Sequence, residues 1–204
     1  MMNETEHDGT IYIVDDDQAI RHAMSLLMKS VGLQCEIFES ADDFLSEHSN
    51  DRSGCLVLDI RMPGMGGLEL QEKLREMDCT LPVIFITGHG DIPMAVEAMQ
   101  KGAFDFIQKP FRDQELLDRI QDALKTEREQ RSRREKQSVV RDKLSRLTKR
   151  EHEVFDLVVT GKPNKIIAHE LGVSQRTVEI HRARVMEKME ARSLADLVRM
   201  QLTA

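Results

Sequence analysis

Gly54-Cys55-Leu56-Val57-Leu58 is an apolar run with no polar interruption, and Asp59 follows it directly. A strand with one wet face alternates apolar and polar residues. An unbroken run is covered on both faces, as in a parallel sheet sandwiched by helices. Ile11–Val14 and Val83–Ile86 share this texture, and Gln34–Phe38 and Asp105–Ile107 complete five predicted strands. Helical stretches lie between them near Gln18–Val31, Ala41–Glu47, Gly67–Glu76 and Ile92–Gln100, with another starting at Asp113. This alternation predicts an α/β doubly wound domain on a five-stranded parallel sheet. Ligands of such sheets bind at the carboxyl ends of the strands.

Beyond Asp113 the texture changes. Leu116, Leu117, Ile120 and Leu124 keep a helical stripe, which fades into a charged segment without Gly or Pro. Opposite charges four apart, Glu127/Arg131 and Arg131/Glu135, support a helix there. The reading is a solvated linker helix over residues 125–143, with a short coiled coil as the alternative. Four short helices follow. Thr148-Lys149-Arg150-Glu151 is a capping box, Pro163 opens the second helix, Gly172 ends it, and Ser174 and Ser193 cap the third and fourth.

The bulk numbers agree with two domains in 204 residues, assigned here to residues 10–124 and 144–204. Met1–Thr10 is polar and acidic, unlike a signal peptide, and no apolar run approaches the roughly 20 residues of a membrane span. Three cysteines without metal-like spacing point to free thiols and a cytoplasmic location. The net charge of −7 is uneven: residues 145–204 carry 11 Lys+Arg and 8 Asp+Glu, the remainder 18 and 28. The basic end can approach a polyanion; the acidic part cannot.

Asp15 and Asp16 follow the first strand and Asp59 the third, so three carboxylates converge on one crevice of the predicted sheet. Such a cluster calls for a cation, and oxygen ligands suit a hard divalent ion such as Mg²⁺. Asp59 could then attack phosphorus as a carboxylate nucleophile. Thr87-Gly88 ends the fourth strand and Lys109-Pro110 follows the fifth, adding the hydroxyl and ammonium that a phosphoryl group would require. Singly, each of these is an ordinary turn or cap residue. Together they sit at the ends of four strands.

Val14-Asp15-Asp16-Asp17, Leu58-Asp59 through Gly67, Ile86-Thr87-Gly88 and Lys109-Pro110-Phe111 resemble the receiver domain of bacterial response regulators, a flavodoxin-like fold. The resemblance implies that Asp59 accepts a phosphoryl group from a sensor histidine kinase. It also implies that Asp15, Asp16, Asp59 and the backbone carbonyl of Arg61 hold Mg²⁺, that Lys109 pairs with the phosphate, and that Lys109-Pro110 is cis. Thr87 would move to bond the phosphate, with the aromatic at Phe106 swinging inward. Phe106 lacks a hydroxyl and is expected to sit inward; the alternative is an ordinary core aromatic. Arg61 and His89 occupy positions that tune phosphoryl lifetime in that family.

In the C-terminal part, Ile166, Ile167, Leu171, Val173, Val178, Ile180 and Val185 read as the core of two helices joined by Leu171-Gly172-Val173-Ser174, a helix-turn-helix. Leu147-Thr148-Lys149-Arg150-Glu151, Asn164-Lys165-Ile166-Ile167-Ala168 and Thr177-Val178-Glu179-Ile180-His181 resemble the LuxR-type DNA-binding domain, and nearly the whole chain resembles the FixJ/NarL regulators. The resemblance implies a transcription regulator, commonly an activator working with RNA polymerase, that binds palindromic double-stranded DNA as a homodimer when phosphorylated. Gln175, Arg176, Glu179, Arg182 and Ala183 would face bases, and Lys165, Thr177, His181 and Lys188 phosphates. His181 is open to a second reading, a surface residue without a DNA role. Two other functions fit less well. A constitutive DNA binder with a vestigial receiver would have lost part of its acid cluster. An enzyme, a phosphatase turning over on Asp59, would leave the linker and helix-turn-helix unexplained.

Overall fold

The computed structural model describes residues 9–47, 52–88 and 92–203, so His89 lies outside the described residues. The chain divides into two compact units, Met1–Gln130 and Arg131–Ala204. In the first, β1 (Thr10–Val14), β2 (Cys35–Phe38), β3 (Gly54–Asp59), β4 (Val83–Thr87) and β5 (Asp105–Gln108) form one sheet of order β2-β1-β3-β4-β5. Every pairing is parallel. The helices between are α1 (Gln18–Ser30), α2 (Ala41–Ser46), α3 (Gly67–Glu76) and α4 (Ile92–Gln100), with α5 (Asp113–Ser145) after β5.

The apolar runs divide between the two sheet faces as the pleat requires. Tyr12, Val14, Leu56, Leu58 and Phe85 pack with Phe44, Leu70, Leu74 and Ala98 on one side. Ile11, Ile13, Val57, Ile84, Ile86 and Ile107 pack with Met24, Met28, Leu116 and Ile120 on the other. Strand order reverses between β1 and β3, which opens the crevice at their carboxyl ends.

Helix α5 is continuous over 33 residues, as the charge pattern predicts, but it is not solvated throughout. Glu127 is 2% exposed and Val140 7%. Glu127 continues the i, i+4, i+7 stripe of Leu116, Ile120 and Ala123, so helix geometry turns it inward despite its charge.

The second unit contains α6 (Lys149–Val159), α7 (Asn164–Leu171), α8 (Gln175–Lys188) and α9 (Leu194–Thr203). Thr148 and Glu151 form the capping box, Gly172 adopts a left-handed φ of 64° after α7, and Ser174 caps α8 through the Thr177 amide. Pro163 opens α7 as its N-cap residue. Val154, Phe155, Ile167, Val178, Val185 and Leu197 make the core. Ile166 and Ile180, read from sequence as core, are 45% and 48% exposed. Ile166 adjoins the buried Ile167 and Ile180 lies two residues after the buried Val178, and the rotation of about 100° per residue carries each onto the outer side of its helix.

Candidate functional site

Asp15 and Asp59 emerge from adjacent parallel strands, with Val14 opposite Leu58 in register, so their side chains meet at one crevice. One carboxylate oxygen from each of Asp15, Asp16 and Asp59 lies within 4.8 Å of the others. Lys109, just beyond β5, brings its Nζ to 2.9 Å from Asp15 Oδ2 and 3.5 Å from Asp59 Oδ1. Asp15 Oδ1 accepts the Asp17 amide at 2.9 Å. The Asp17 carboxylate in turn caps α1 through the Ala19 amide, which accounts for that residue structurally.

Burial pushes the Asp59 carboxyl up to about 6, with Lys109 opposing and Asp15 and Asp16 reinforcing the shift. Burial pulls the Lys109 ammonium down, but its contacts with Asp15 and Asp59 outweigh this and leave it above its ordinary value. The pocket thus holds an excess of buried negative charge that one lysine only partly offsets. An all-oxygen donor set of this kind fits a hard divalent cation.

Thr87 ends β4 and is 2% exposed, while its carbonyl accepts the Lys109 amide at 2.7 Å. That bond joins the strand ends carrying the hydroxyl and the ammonium, and the Lys109-Pro110 bond is cis. Arg61 lies one residue beyond Ile60 and is exposed at the rim. The loop that follows closes tightly: a Cβ on Gly67 would come within 2.3 Å of the Asp59 carbonyl oxygen and 3.0 Å of the Phe85 ring. Glycine is therefore required there for the β3–α3 connection to pass the end of β3, a requirement that sequence reading did not single out.

Phe106, expected to sit inward, is instead 39% exposed. It pairs with Phe85 in register but belongs to the edge strand. A phenyl ring has no hydroxyl to keep it out, yet on an edge strand it has no full second layer to draw it in.

In the helix-turn-helix, Gln175, Arg176, Glu179, Ile180 and Ala183 form an exposed stripe on α8, and Lys165 is exposed near the start of α7. Ile180 was missed as a member of this stripe because its apolar side chain read as core. Gln175 Nε2 donates to Glu179 Oε1 at 3.3 Å. Arg182 is half-buried, and its Nη1 donates to Asn164 Oδ1 at 3.1 Å, tying α8 to the start of α7. Thr177 shares a hydroxyl contact of 2.8 Å with Ser174, so it serves the α8 cap. His181 is half-buried, with its Nδ1 buried and lacking a hydrogen-bond partner.

Lys188, expected at phosphates, is engaged within its own unit. Its ammonium donates to Glu151 Oε2 at 2.6 Å and to the Arg146 carbonyl at 3.1 Å. A phosphate is not needed to explain this lysine, because the buried Glu151 carboxylate already requires a cation. Lys188 and the Thr148 amide hold the Glu151 carboxyl down at about 2.

A family model described as the response regulator receiver domain matches residues 11–121, and one described as bacterial regulatory proteins, luxR family, matches residues 145–201. Response regulator protein TodT of Pseudomonas putida is 47% identical over 195 residues, covering 96% of this chain and 86% of its own. Transcriptional regulatory protein FixJ of Rhizobium meliloti is 44% identical, covering 96% of both chains. The solved structure of response regulator StyR aligns with a TM-score of 0.88 at 45% identity, covering 96% of this chain and 99% of that one.

Proposed function

Because the chain belongs to the two-component response regulators that join a receiver to a LuxR-family DNA-binding domain, we propose that it is a transcription regulator switched by phosphorylation of Asp59. The observation that carries this reading is the pocket in which three carboxylates meet within 4.8 Å beside Lys109. Asp59 attacks the phosphorus of a phosphohistidine on a cognate sensor kinase. The P–N bond breaks, its electron pair returns to the imidazole, and an acyl phosphate remains on Asp59.

Asp15, Asp16, Asp59 and the Arg61 carbonyl hold Mg²⁺, which when bound offsets the repulsion between these carboxylates and the incoming phosphoryl group. Lys109 gives up Asp15 for a phosphoryl oxygen, and the Thr87 hydroxyl donates to another. Phe106 follows Thr87 inward and changes the surface between α4 and α5. The phosphorylated chain then pairs with a second copy, and two α8 helices enter successive major grooves of a palindromic site. At that site it acts on RNA polymerase as an activator, in the cytoplasm. Among the described residues no helix is long and apolar enough to cross a membrane.

The test is intact-mass analysis after incubation with a small acyl-phosphate donor and Mg²⁺. The natural chain gains one phosphate and Asp59→Asn gains none, because an amide is a poor nucleophile. A phosphate on Asp59→Asn overturns the assignment.

A further inference from the structure

We propose that Arg21 is a positioning residue of the acidic pocket, holding the peptide unit between Asp15 and Asp16 so that both carboxylates face one divalent cation. This rests on the reading of that pocket as a Mg²⁺ site. Arg21 lies on α1, and although charged, its side chain is only 12% exposed. Its Nη1 donates to the Asp15 carbonyl oxygen at 2.6 Å, and its own amide donates to the Asp17 carbonyl at 3.0 Å. The other guanidinium nitrogen is 3.9 Å from Glu39 Oε2, on a side chain 76% exposed. An exposed pair at that distance contributes little, so the carbonyl bond is the one that fixes the guanidinium.

The gripped carbonyl belongs to the planar peptide that links Asp15 to Asp16. Fixing its plane fixes where both Cα–Cβ bonds start, and hence the aim of two of the three carboxylates. The remaining anchors of Asp15 are its amide on the Phe38 carbonyl at 3.3 Å, Oδ1 on the Asp17 amide at 2.9 Å and Oδ2 on Lys109 at 2.9 Å. The last of these is temporary, because Lys109 is needed at the phosphoryl group. When it leaves, the Arg21 bond to the main-chain oxygen still holds the peptide.

Charge and position predict opposite outcomes, which makes the role measurable. A guanidinium bonded to the Asp15 carbonyl repels a cation held by the adjoining carboxylates, so if its charge alone mattered, removing it would tighten binding. If it positions the ligands, removing it weakens binding, and loss of an outer-shell partner typically costs about 10-fold or more in metal affinity.

Calorimetric titration of the full chain with Mg²⁺ decides between them. Arg21→Met, similar in length but with no donor, should bind Mg²⁺ about 10-fold more weakly. Its metal-free melting temperature should stay near that of the natural chain, and its acyl-phosphate uptake should recover at saturating Mg²⁺. Arg21→Lys, which retains one donor, should fall between, about threefold weaker. Unchanged or tighter Mg²⁺ binding by Arg21→Met overturns the proposal. If that variant does not fold, equal or tighter binding by Arg21→Lys overturns it. Failure of the natural chain itself to bind Mg²⁺ would overturn the reading of the pocket, and this inference with it.

Discussion

The ammonium of Lys188 lies 2.6 Å from the carboxylate of Glu151, and that carboxylate is 2% exposed. One end of α8 is thereby fastened to the start of α6, where the same carboxylate accepts the Thr148 amide at 2.8 Å. A side chain that looks available for DNA in the sequence instead joins α8 to Glu151 and to the Arg146 carbonyl.

Glu151 ionises at about 2 in the folded chain against an ordinary 4.5. A depressed carboxyl stabilises the fold above its unfolded value, and that contribution is lost as pH falls through the folded one. Glu151→Gln should therefore lower the melting temperature of the C-terminal unit at pH 7 by about 5 °C or more. The gap to the natural chain should close between pH 4.5 and 2. Thermal melts across that range check it; a gap independent of pH would show that the ion pair does not stabilise the fold.

Gly67→Ala places a methyl group 2.3 Å from a backbone oxygen, which rotamer changes cannot relieve. The cost should be about 1–3 kcal/mol of stability in urea unfolding. Slower acyl-phosphate uptake at Asp59 should accompany it. Wild-type stability would mean that the β3–α3 loop yields more easily than its packing suggests.

Val96, Met99 and Phe106 are 48%, 39% and 39% exposed on α4 and β5. Under the proposed switch, phosphorylation should convert monomers to dimers through this face and the neighbouring part of α5, and a palindromic site needs two copies. Light scattering at micromolar protein should report a doubled mass, and an unchanged mass would count decisively against this route.

At the DNA, Lys165→Ala should weaken binding to all sequences about equally and lower the salt slope by about one. Arg182→Ala should cost about 1–3 kcal/mol on the specific site only. Asn164→Ala should reproduce part of that loss, because Asn164 holds the Arg182 guanidinium at 3.1 Å. Titrations on specific and scrambled duplexes at several salt concentrations distinguish these. Equal losses on both duplexes for Arg182→Ala would make it a backbone contact.

The sheet was legible because Ile11–Val14, Gly54–Leu58 and Val83–Ile86 are unbroken apolar runs, and the pocket because Asp15, Asp59, Thr87 and Lys109 each stand at or just past a strand end. Helix ends with a capping chemistry, at Thr148, Gly172 and Ser174, were equally plain. What escaped were properties of packing angle and distance. The spacing of Ile180 from Val178 cannot say which of the two turns inward, and Lys188 meets Glu151 across 37 residues of chain. The close pass of Gly67 by Asp59 depends on a loop path that no residue type announces, and the grip of Arg21 on a main-chain oxygen leaves no side-chain pattern at all.

Helix α5 belongs to two cores at once. Leu116, Leu117, Ile120 and Ala123 complete the sheet's second face, while Leu144 and Leu147, at and just past its other end, pack with the helix-turn-helix core. Dissection must respect that. A DNA-binding fragment begun at Thr148 would be cut through its own hydrophobic interior, whereas one begun near Arg131 keeps every side chain that its compact unit uses. For the same reason, glycine-rich replacement of the charged stretch would not be a neutral change of spacer, since it removes a helical segment whose Glu127 and Val140 are both buried.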